Sequence, residues 1–258
     1  MYNESIIYEA PEASEFTAKG VGILLYSTCC YALGVAGLAS FILAMAGLLP
    51  LGLFAVSESI WLASLINIVL LLLFGLQHSV MARKSFKQKF NALFPQAAER
   101  STFVLASGLV LALTVVAWQP LPGEVWHSSG AVNILLWAGF AFGWVYLLAA
   151  TFAINHFDLF GLRQAWLAAI GKPYTQVAFK EHWMYRYSRH PIMLGVIIGT
   201  WCVPHMTASM LMLAVGMTLY IAVGVYFEER DLIKQWGQRY LDYRQQVGAL
   251  ITLGVSKR

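Results

Sequence analysis

Acidic and basic side chains are missing from long reaches of this chain. Gly20 to Leu49, Ile60 to Val80, Thr102 to Trp118 and Ala131 to Ile154 contain no Asp, Glu, Lys or Arg. A further apolar stretch lies between Arg189 and Glu228, broken at Val203-Pro204-His205-Met206. The hydrocarbon core of a bilayer takes about 20 apolar residues of helix. Lipid offers backbone N–H and C=O groups no partner, so such reaches must satisfy them internally, as helices. Composition agrees, since 12% of residues are charged against about 25% in soluble domains. The expected fold is all-α, a polytopic transmembrane helix bundle forming one domain over residues 1–258.

Positive charge orients such a bundle, because cytoplasmic loops collect Lys and Arg. Residues 1–19 are polar and acidic (Glu4, Glu9, Glu12, Glu15), lack the basic start and cleavage site of a signal peptide, and read as a cytoplasmic tail. The segment after the second span carries Arg83, Lys84, Lys87, Lys89 and Arg100 against Glu99 alone, so it faces the cytoplasm. QPLPGEVWHSSG has no Lys or Arg and faces outward. Asn155 to Arg189 is basic again (Arg163, Lys172, Lys180, Arg186, Arg189), as is the end of the chain, with Arg230, Lys234, Arg239, Arg244, Lys257 and Arg258. These regions share one side only if the chain crosses an even number of times. Ile192 to Val203 is too short to cross alone at about 1.5 Å per residue. Five to six spans are therefore expected, the last two apolar runs forming a hairpin followed by a cytoplasmic C-terminal helix. The first span is rich in small residues (Gly22, Gly34, Gly37, Ala44, Ala46, Gly47), which let membrane helices approach closely.

Several ligand classes drop out. No basic patch with interleaved aromatics offers a nucleic-acid surface. Cys29, Cys30 and Cys202 lie in apolar runs without metal spacing and read as inert buried thiols. The 6 histidines show no HxxxH or HxxHH pattern, which argues against a membrane di-metal oxidase and gives an expectation of no metal. His127 belongs to the outer loop and His205 to the hairpin turn, and neither adds to a cytoplasmic site; His182 precedes the hairpin and could approach one.

Polar groups at membrane boundaries are costly to bury and usually face an interior site. Arg189-His190-Pro191 opens the hairpin, and Pro191 suits a first helical turn whose free N–H groups bind a carboxylate or simply cap the helix. Glu228-Glu229-Arg230-Asp231 closes it, offering acceptors to a cationic or hydroxyl ligand, or salt bridges to Arg186 and Arg189. Tyr240 and Tyr243 share a helical face, with Trp236 one turn before Tyr240, as a lid over an aromatic ligand or as interfacial anchors. Asn155-His156-Phe157-Asp158, with Arg163 and Gln164 after it, is either a capped turn or a carboxylate-oriented histidine base. Gln77-His78 ends the second span at the same level, near Arg83. All of these fall on one membrane face, which points to a cytoplasmic-side site open to both water and lipid.

Arg189-His190-Pro191, Gly195, the apolar hairpin, Glu228-Glu229, Leu232, Gly237, Tyr240 and Tyr243 resemble the C-terminal signature of the isoprenylcysteine carboxyl methyltransferase superfamily of integral membrane enzymes. FGLQHSVMARKSFK (residues 74–87) and NHFDLFGLRQ (residues 155–164) are similar to segments of the bacterial methanethiol S-methyltransferases. The first of these also resembles membrane proteins associated with denitrification, so the second discriminates better. The superfamily often has an aromatic two positions after the motif proline, where this chain has Met193.

The resemblance implies methyl transfer from S-adenosylmethionine to methanethiol, giving dimethyl sulfide and S-adenosylhomocysteine, in the inner membrane of a bacterium. It implies that Tyr185, Arg186, His190, Pro191, Glu228, Glu229, Tyr240 and Tyr243, within the 185–244 hairpin and tail, hold the cofactor. Gln77, Asn155 and Gln164 are expected beside the thiol. Thiolate formation needs a base: His156 supported by Asp158 is the first choice and His78 the second, with Arg163 as an electrostatic alternative. A small volatile thiol enters from the lipid bilayer and the polar cofactor from the cytoplasm. Two other readings compete, a methyltransferase of a larger lipid (prenylcysteine or phospholipid) and a non-catalytic membrane protein linked to denitrification.

Overall fold

The computed structural model describes residues 16–252 apart from Val56, Ala178, Lys180 and His182. Most of the expected N-terminal tail, His182, Lys257 and Arg258 thus lie outside the described residues. The helices are α1 (Ala18–Met45), α2 (Ile60–Ala82), α3 (Lys84–Leu93), α4 (Gln96–Ala117), α5 (Gly130–Ile154), α6 (His156–Leu159), α7 (Leu162–Ala169), α8 (Pro191–Trp201), α9 (Ala208–Trp236) and α10 (Gln238–Gln246). Two short strands, β1 (Glu124–His127) and β2 (His205–Thr207), and a 3₁₀ turn at Trp183–Arg186 complete the described elements. Five helices, α1, α2, α4, α5 and α9, are long and apolar enough to cross a membrane. The chain is a multi-pass membrane protein built as a helical bundle.

Local chemistry sets the helix starts. Thr17, Ser59 and Thr207 accept from the backbone N–H of Gly20, Leu62 and Met210, the N-cap role for which hydroxyl side chains are favoured. Pro191 occupies the first turn of α8, where its missing N–H leaves no bond unmade. α4 starts at Gln96, earlier than the apolar run alone indicates, because Gln96 to Arg100 continue the same helix. Arg100 therefore sits on a membrane helix and not in a loop.

Small residues fix two helix contacts. A Cβ on Gly37 would lie 2.1 Å from the Gly108 carbonyl oxygen, and one on Gly34 would meet Val104, so α1 and α4 touch backbone to backbone. Gly143 of α5 meets Gly195 and Gly199 of α8 in the same way. The other small residues of the first span divide differently: Gly22 has open space around it, and Gly47, at φ +72°, makes the turn that ends α1. Between the helices lies a core of Phe41, Leu70, Phe74, Leu111, Trp144 and Leu213, joined by Met206 from β2.

The hairpin explains why the sequence left the span count open. α8 has 11 residues, about 16 Å at about 1.5 Å per residue, against 29 residues for α9. The rest of the return is the extended segment from Cys202 to Thr207. Its β2 pairs antiparallel with β1 of the α4–α5 loop, which supplies the backbone partners that a helix would have supplied internally. The buried side chain of Asn67 bonds both the N–H and the C=O of Gln119 at 2.8 Å, tying α2 to the end of α4 at this same end. The opposite end gathers α3, α6, α7, the 3₁₀ turn and α10, together with most of the charge.

Candidate active site

Glu228 and Glu229 are neighbours on α9, so successive 100° helical steps send them to different surroundings. Glu229 is 7% exposed. It accepts from Arg189 through both Nε and Nη2, and from His190 Nε2 at 3.3 Å, with Arg244 Nε 3.5 Å away. Arg189 also donates to the carbonyls of Val247 and Arg244. This clasp joins the start of α8, the end of α9 and the segment after α10, and Glu229 Oε1 takes its described hydrogen bonds. Glu228 is different. Its side chain is 48% exposed, with His190 Nδ1 at 3.5 Å as its ion-pair neighbour. Of the two carboxylates expected at a cofactor, Glu228 is open to a ligand and Glu229 is committed to the fold. His190 is likewise held, with its ring between both carboxylates and its N–H on the Ala249 carbonyl.

The aromatic tail is a small core. Gly237, at φ +57°, ends α9 and starts α10, so Trp236 and Tyr240 do not share a continuous helix face as expected. Tyr240 and Tyr243 do share one. Both are buried against Phe179, Trp236 and Val247, and the Tyr243 hydroxyl donates to the Tyr185 carbonyl. Burial, reinforced by the Glu229 carboxylate, pushes Tyr240 up to about 12. Burial raises Tyr185 also, with Glu228 adding to it. Arg186 is exposed and makes no ion pair among the described residues.

The expected pairing of Asp158 with His156 does not occur. Asp158 accepts from Arg163 Nη1 at 2.8 Å and from the Tyr174 hydroxyl at 3.3 Å, because the one-turn helix α6 points it away from the ring two residues earlier. Arg163 is completed by the carbonyl and hydroxyl of Thr175, which leaves its guanidinium engaged by protein. Asn155 caps α6 by accepting from the Asp158 N–H.

His156 lies buried, stacked 4.2 Å from Phe152 between ring centroids, with both nitrogens occupied. The Thr151 hydroxyl donates to the Leu148 carbonyl at 2.7 Å, so it accepts the Nδ1–H of His156 at 2.8 Å. Nε2 then accepts from the Tyr31 hydroxyl at 2.9 Å. The ring is a neutral cross-brace between α1, α5 and α6. Burial depresses its pKa below the ordinary imidazole range. A depressed histidine takes up its proton more readily in the unfolded chain, so its contribution is whole above about pH 6.5 and is lost as pH falls below it. Thermal unfolding in detergent should show a transition temperature declining through that window, and His156→Asn should decline less. Equal slopes for the two proteins would show that His156 does not carry the acid sensitivity.

His78 differs in the one respect that matters for a base. The Ser107 hydroxyl donates to the Phe103 carbonyl at 2.9 Å and so accepts the Nδ1–H of His78 at 3.1 Å. That fixes the tautomer and leaves a lone pair on Nε2, which has no hydrogen-bond partner among the described residues. Phe74, Phe103 and Tyr220 surround the ring at centroid distances of 5.5, 4.6 and 6.1 Å. Gln77 bonds Met81 Sδ and Ser107, and its buried carbonyl oxygen has no described partner. His78 lies within electrostatic reach of Arg100 and Glu228.

A cavity of about 470 Å³ opens between α3, α4, α6 and α7, lined by Arg100, Asp158, Gln164, Tyr174, Lys87 and Glu99 among others. Small-molecule sites run from about 300 to 1,000 Å³. Gln164 donates to the Asp158 carbonyl, and its own buried oxygen has no described acceptor use, so the cavity wall presents an unfilled acceptor. Arg100 donates to the Leu159 carbonyl at 2.6 Å and lies within reach of Glu99, Asp158 and Glu228. Burial and then the Asp158 carboxylate raise the pKa of Tyr174.

A family model described as NnrU protein matches residues 66–255. A methanethiol S-methyltransferase from Mycobacterium tuberculosis is 46% identical over 198 residues, covering 76% of this chain and 81% of that protein. Methanethiol S-methyltransferase 2 from Bradyrhizobium diazoefficiens is 41% identical over 239 residues, 90% of each chain. The chain belongs to the methanethiol S-methyltransferase family. Nurim from Bos taurus is 28% identical over 184 residues, 68% of this chain and 70% of that protein. No solved structure matches the chain.

As a member of the methanethiol S-methyltransferase family the chain is an enzyme, and the reading as a non-catalytic membrane protein falls away. Within this family member, sequence reasoning missed Arg100, Ser107, Tyr174 and Tyr31. From sequence alone Arg100 reads as part of the basic loop. The Arg100–Ser107 spacing of seven residues, two helical turns, was a usable signal once α4 was known to begin before the apolar run.

Proposed function

We propose that this enzyme methylates methanethiol to dimethyl sulfide, with S-adenosylmethionine as donor, at the cytoplasmic end of the bundle. The observation that carries the reading is His78, a histidine with a fixed tautomer and an Nε2 without a described partner among aromatic rings, in a chain whose relatives bear that activity in their names. Methanethiol is small and apolar, and the rings of Phe74, Phe103 and Tyr220 around His78 offer it an apolar, water-poor setting.

When bound, the donor supplies a methyl group activated by a sulfonium charge. Its polar parts fit the residues present. Glu228 and the orphan oxygen of Gln164 accept from ammonium or hydroxyl groups, and Arg100 meets a carboxylate. Tyr185, His190, Pro191, Glu229, Tyr240 and Tyr243 hold the wall rigid behind Glu228. His78 Nε2 takes the thiol proton, so the sulfur attacks as thiolate. An apolar setting favours this step, because the opposite charges of thiolate and sulfonium are lost together. Alignment in a fixed slot supplies the remainder of the rate.

Incubation of the purified chain with labelled S-adenosylmethionine and a panel of thiols, with headspace analysis, should yield dimethyl sulfide from methanethiol in preference to other products. Faster methylation of prenylcysteine or a phospholipid would replace this substrate with the larger lipid. The orientation rests on Arg83, Lys84, Lys87, Lys89, Lys172 and Arg189 gathering at one end. Alkaline phosphatase fused after Arg258 should be inactive in cells and green fluorescent protein fused there fluorescent; the reverse pattern would invert the topology.

A further inference from the structure

The end of the bundle opposite the cavity holds a second chemical cluster that methyl transfer does not use. Glu124, His127 and His205 each offer one ligand atom, and these atoms lie within 4.8 Å of one another. Glu124 Oε2 is 2.7 Å from His205 Nε2 and 3.6 Å from His127 Nδ1.

Strand geometry explains the convergence. His127 and His205 are direct cross-strand partners, so their side chains share a face, and the rings lie 4.8 Å apart. Glu124 and His127 are three apart in sequence, which in a regular strand puts them on opposite faces. The register shifts between Glu124 and Trp126, from a pairing with Thr207 to one with Met206. That one-residue bulge reorients the strand and brings Glu124 to the histidine side, the re-aiming for which bulges are used. Trp126 and Met206 take the other face, against the core.

The support is rigid. Ser128 N and Oγ both bond the Pro204 carbonyl at 2.9 Å, Trp126 Nε1 bonds the Val203 carbonyl at 2.8 Å, Ala208 N bonds the Gly123 carbonyl at 3.0 Å, and Leu121 N bonds Ser209 Oγ at 2.8 Å. Charge at this end is one-sided. Among the described residues of 45–60, 117–130 and 202–208 there is no Lys or Arg, so Glu124 meets no permanent cation.

We propose that Glu124, His127 and His205 form a binding site for a borderline divalent transition-metal ion of the zinc or copper(II) class. Imidazole and carboxylate donors suit these ions. Metal–nitrogen bonds of about 2.0–2.1 Å in a tetrahedron place donor atoms about 3.3 Å apart, the scale of the contacts between Glu124 and the two histidines. Three protein ligands leave one position for water at this exposed end. The ion cross-links the α4–α5 loop to the α8–α9 turn, since its ligands come from β1 and β2. Its role is to fasten the hairpin.

The test uses the untagged full chain in detergent, stripped with chelator, and Zn²⁺ alone as titrant. Calorimetry should give one site per chain, and a thermal scan should show a transition temperature that rises with Zn²⁺ concentration. Cu²⁺ loading should give an electron paramagnetic resonance spectrum with nitrogen splitting. His127→Ala and His205→Ala should each weaken binding by at least about tenfold, and Glu124→Gln should weaken it also, while methyl transfer at the far end proceeds as in the parent protein. Retained binding in the double histidine variant, or no binding tighter than millimolar in the parent, would overturn the site and leave a surface ion pair only. Because Glu124→Gln preserves side-chain size, it separates lost coordination from a misfolded ribbon.

Discussion

His78→Ala should lower turnover at pH 7 by about 100-fold or more, the scale of a removed general base, with donor affinity close to that of the parent enzyme. A model thiol loses its proton only above about pH 8, so at neutral pH most methanethiol is a poor nucleophile. On the proposed reading His78 would meet that substrate in the one usable state, with Nδ1–H held on Ser107 and the lone pair on Nε2 directed away. The pH–rate profile gives the discriminating signature. The deficit of the variant should shrink as pH approaches the thiol's own pKa, because the substrate then ionises unaided. A packing defect would instead leave the ratio constant with pH. Ser107→Ala should fall between parent and His78→Ala, since it frees the ring to change tautomer without removing it. His156→Ala should lower stability while leaving turnover per folded molecule largely intact, because both its nitrogens brace helices. If His156→Ala abolishes turnover and His78→Ala does not, the two histidines exchange roles.

The bundle was legible in the sequence because its cause is local. Runs without charge must be helices in lipid, and their charged borders mark the ends. The side-chain pairings of the site were not legible, for reasons visible in particular residues. Asp158 lies two residues from His156, a spacing that an irregular turn could pair, yet its partner Arg163 is reached only through the turn at Gly161, whose φ of +87° redirects the chain into α7. Glu228 and Glu229 look equivalent as letters. Only the helical phase of α9 against α8 separates a half-exposed carboxylate from a buried one. His127 and His205 lie 78 positions apart and meet through a strand pairing that no apolar periodicity announces.

That separation of the two glutamates leads to opposite expected outcomes. Glu229→Gln removes the charge from a carboxylate that faces the Arg189 guanidinium and His190 in a buried site. Breaking a buried ion pair by neutralising one partner leaves the other charge uncompensated, at a cost of about 3–5 kcal/mol. The variant should therefore unfold at markedly lower temperature or fail to accumulate in the membrane, and S-adenosylhomocysteine should bind weakly to whatever remains. Arg189→Lys tests the same clasp from its other side. A lysine cannot form the forked contact to Glu229 while also reaching the Val247 and Arg244 carbonyls, so it should also destabilise, though less. Glu228→Gln should do the reverse. Its side chain is half exposed and its ion-pair neighbour among the described residues, His190, retains Glu229, so the transition temperature should stay within about a degree or two of the parent, as for most surface substitutions. Binding of S-adenosylhomocysteine should nevertheless weaken by about tenfold or more, the consequence of losing a charge-assisted hydrogen bond of about 1.5–3 kcal/mol. Calorimetry and thermal unfolding measured on both variants decide the matter. If Glu228→Gln binds as well as the parent while a folded Glu229→Gln does not, the cofactor contact belongs to Glu229 and the clasp must open to receive it.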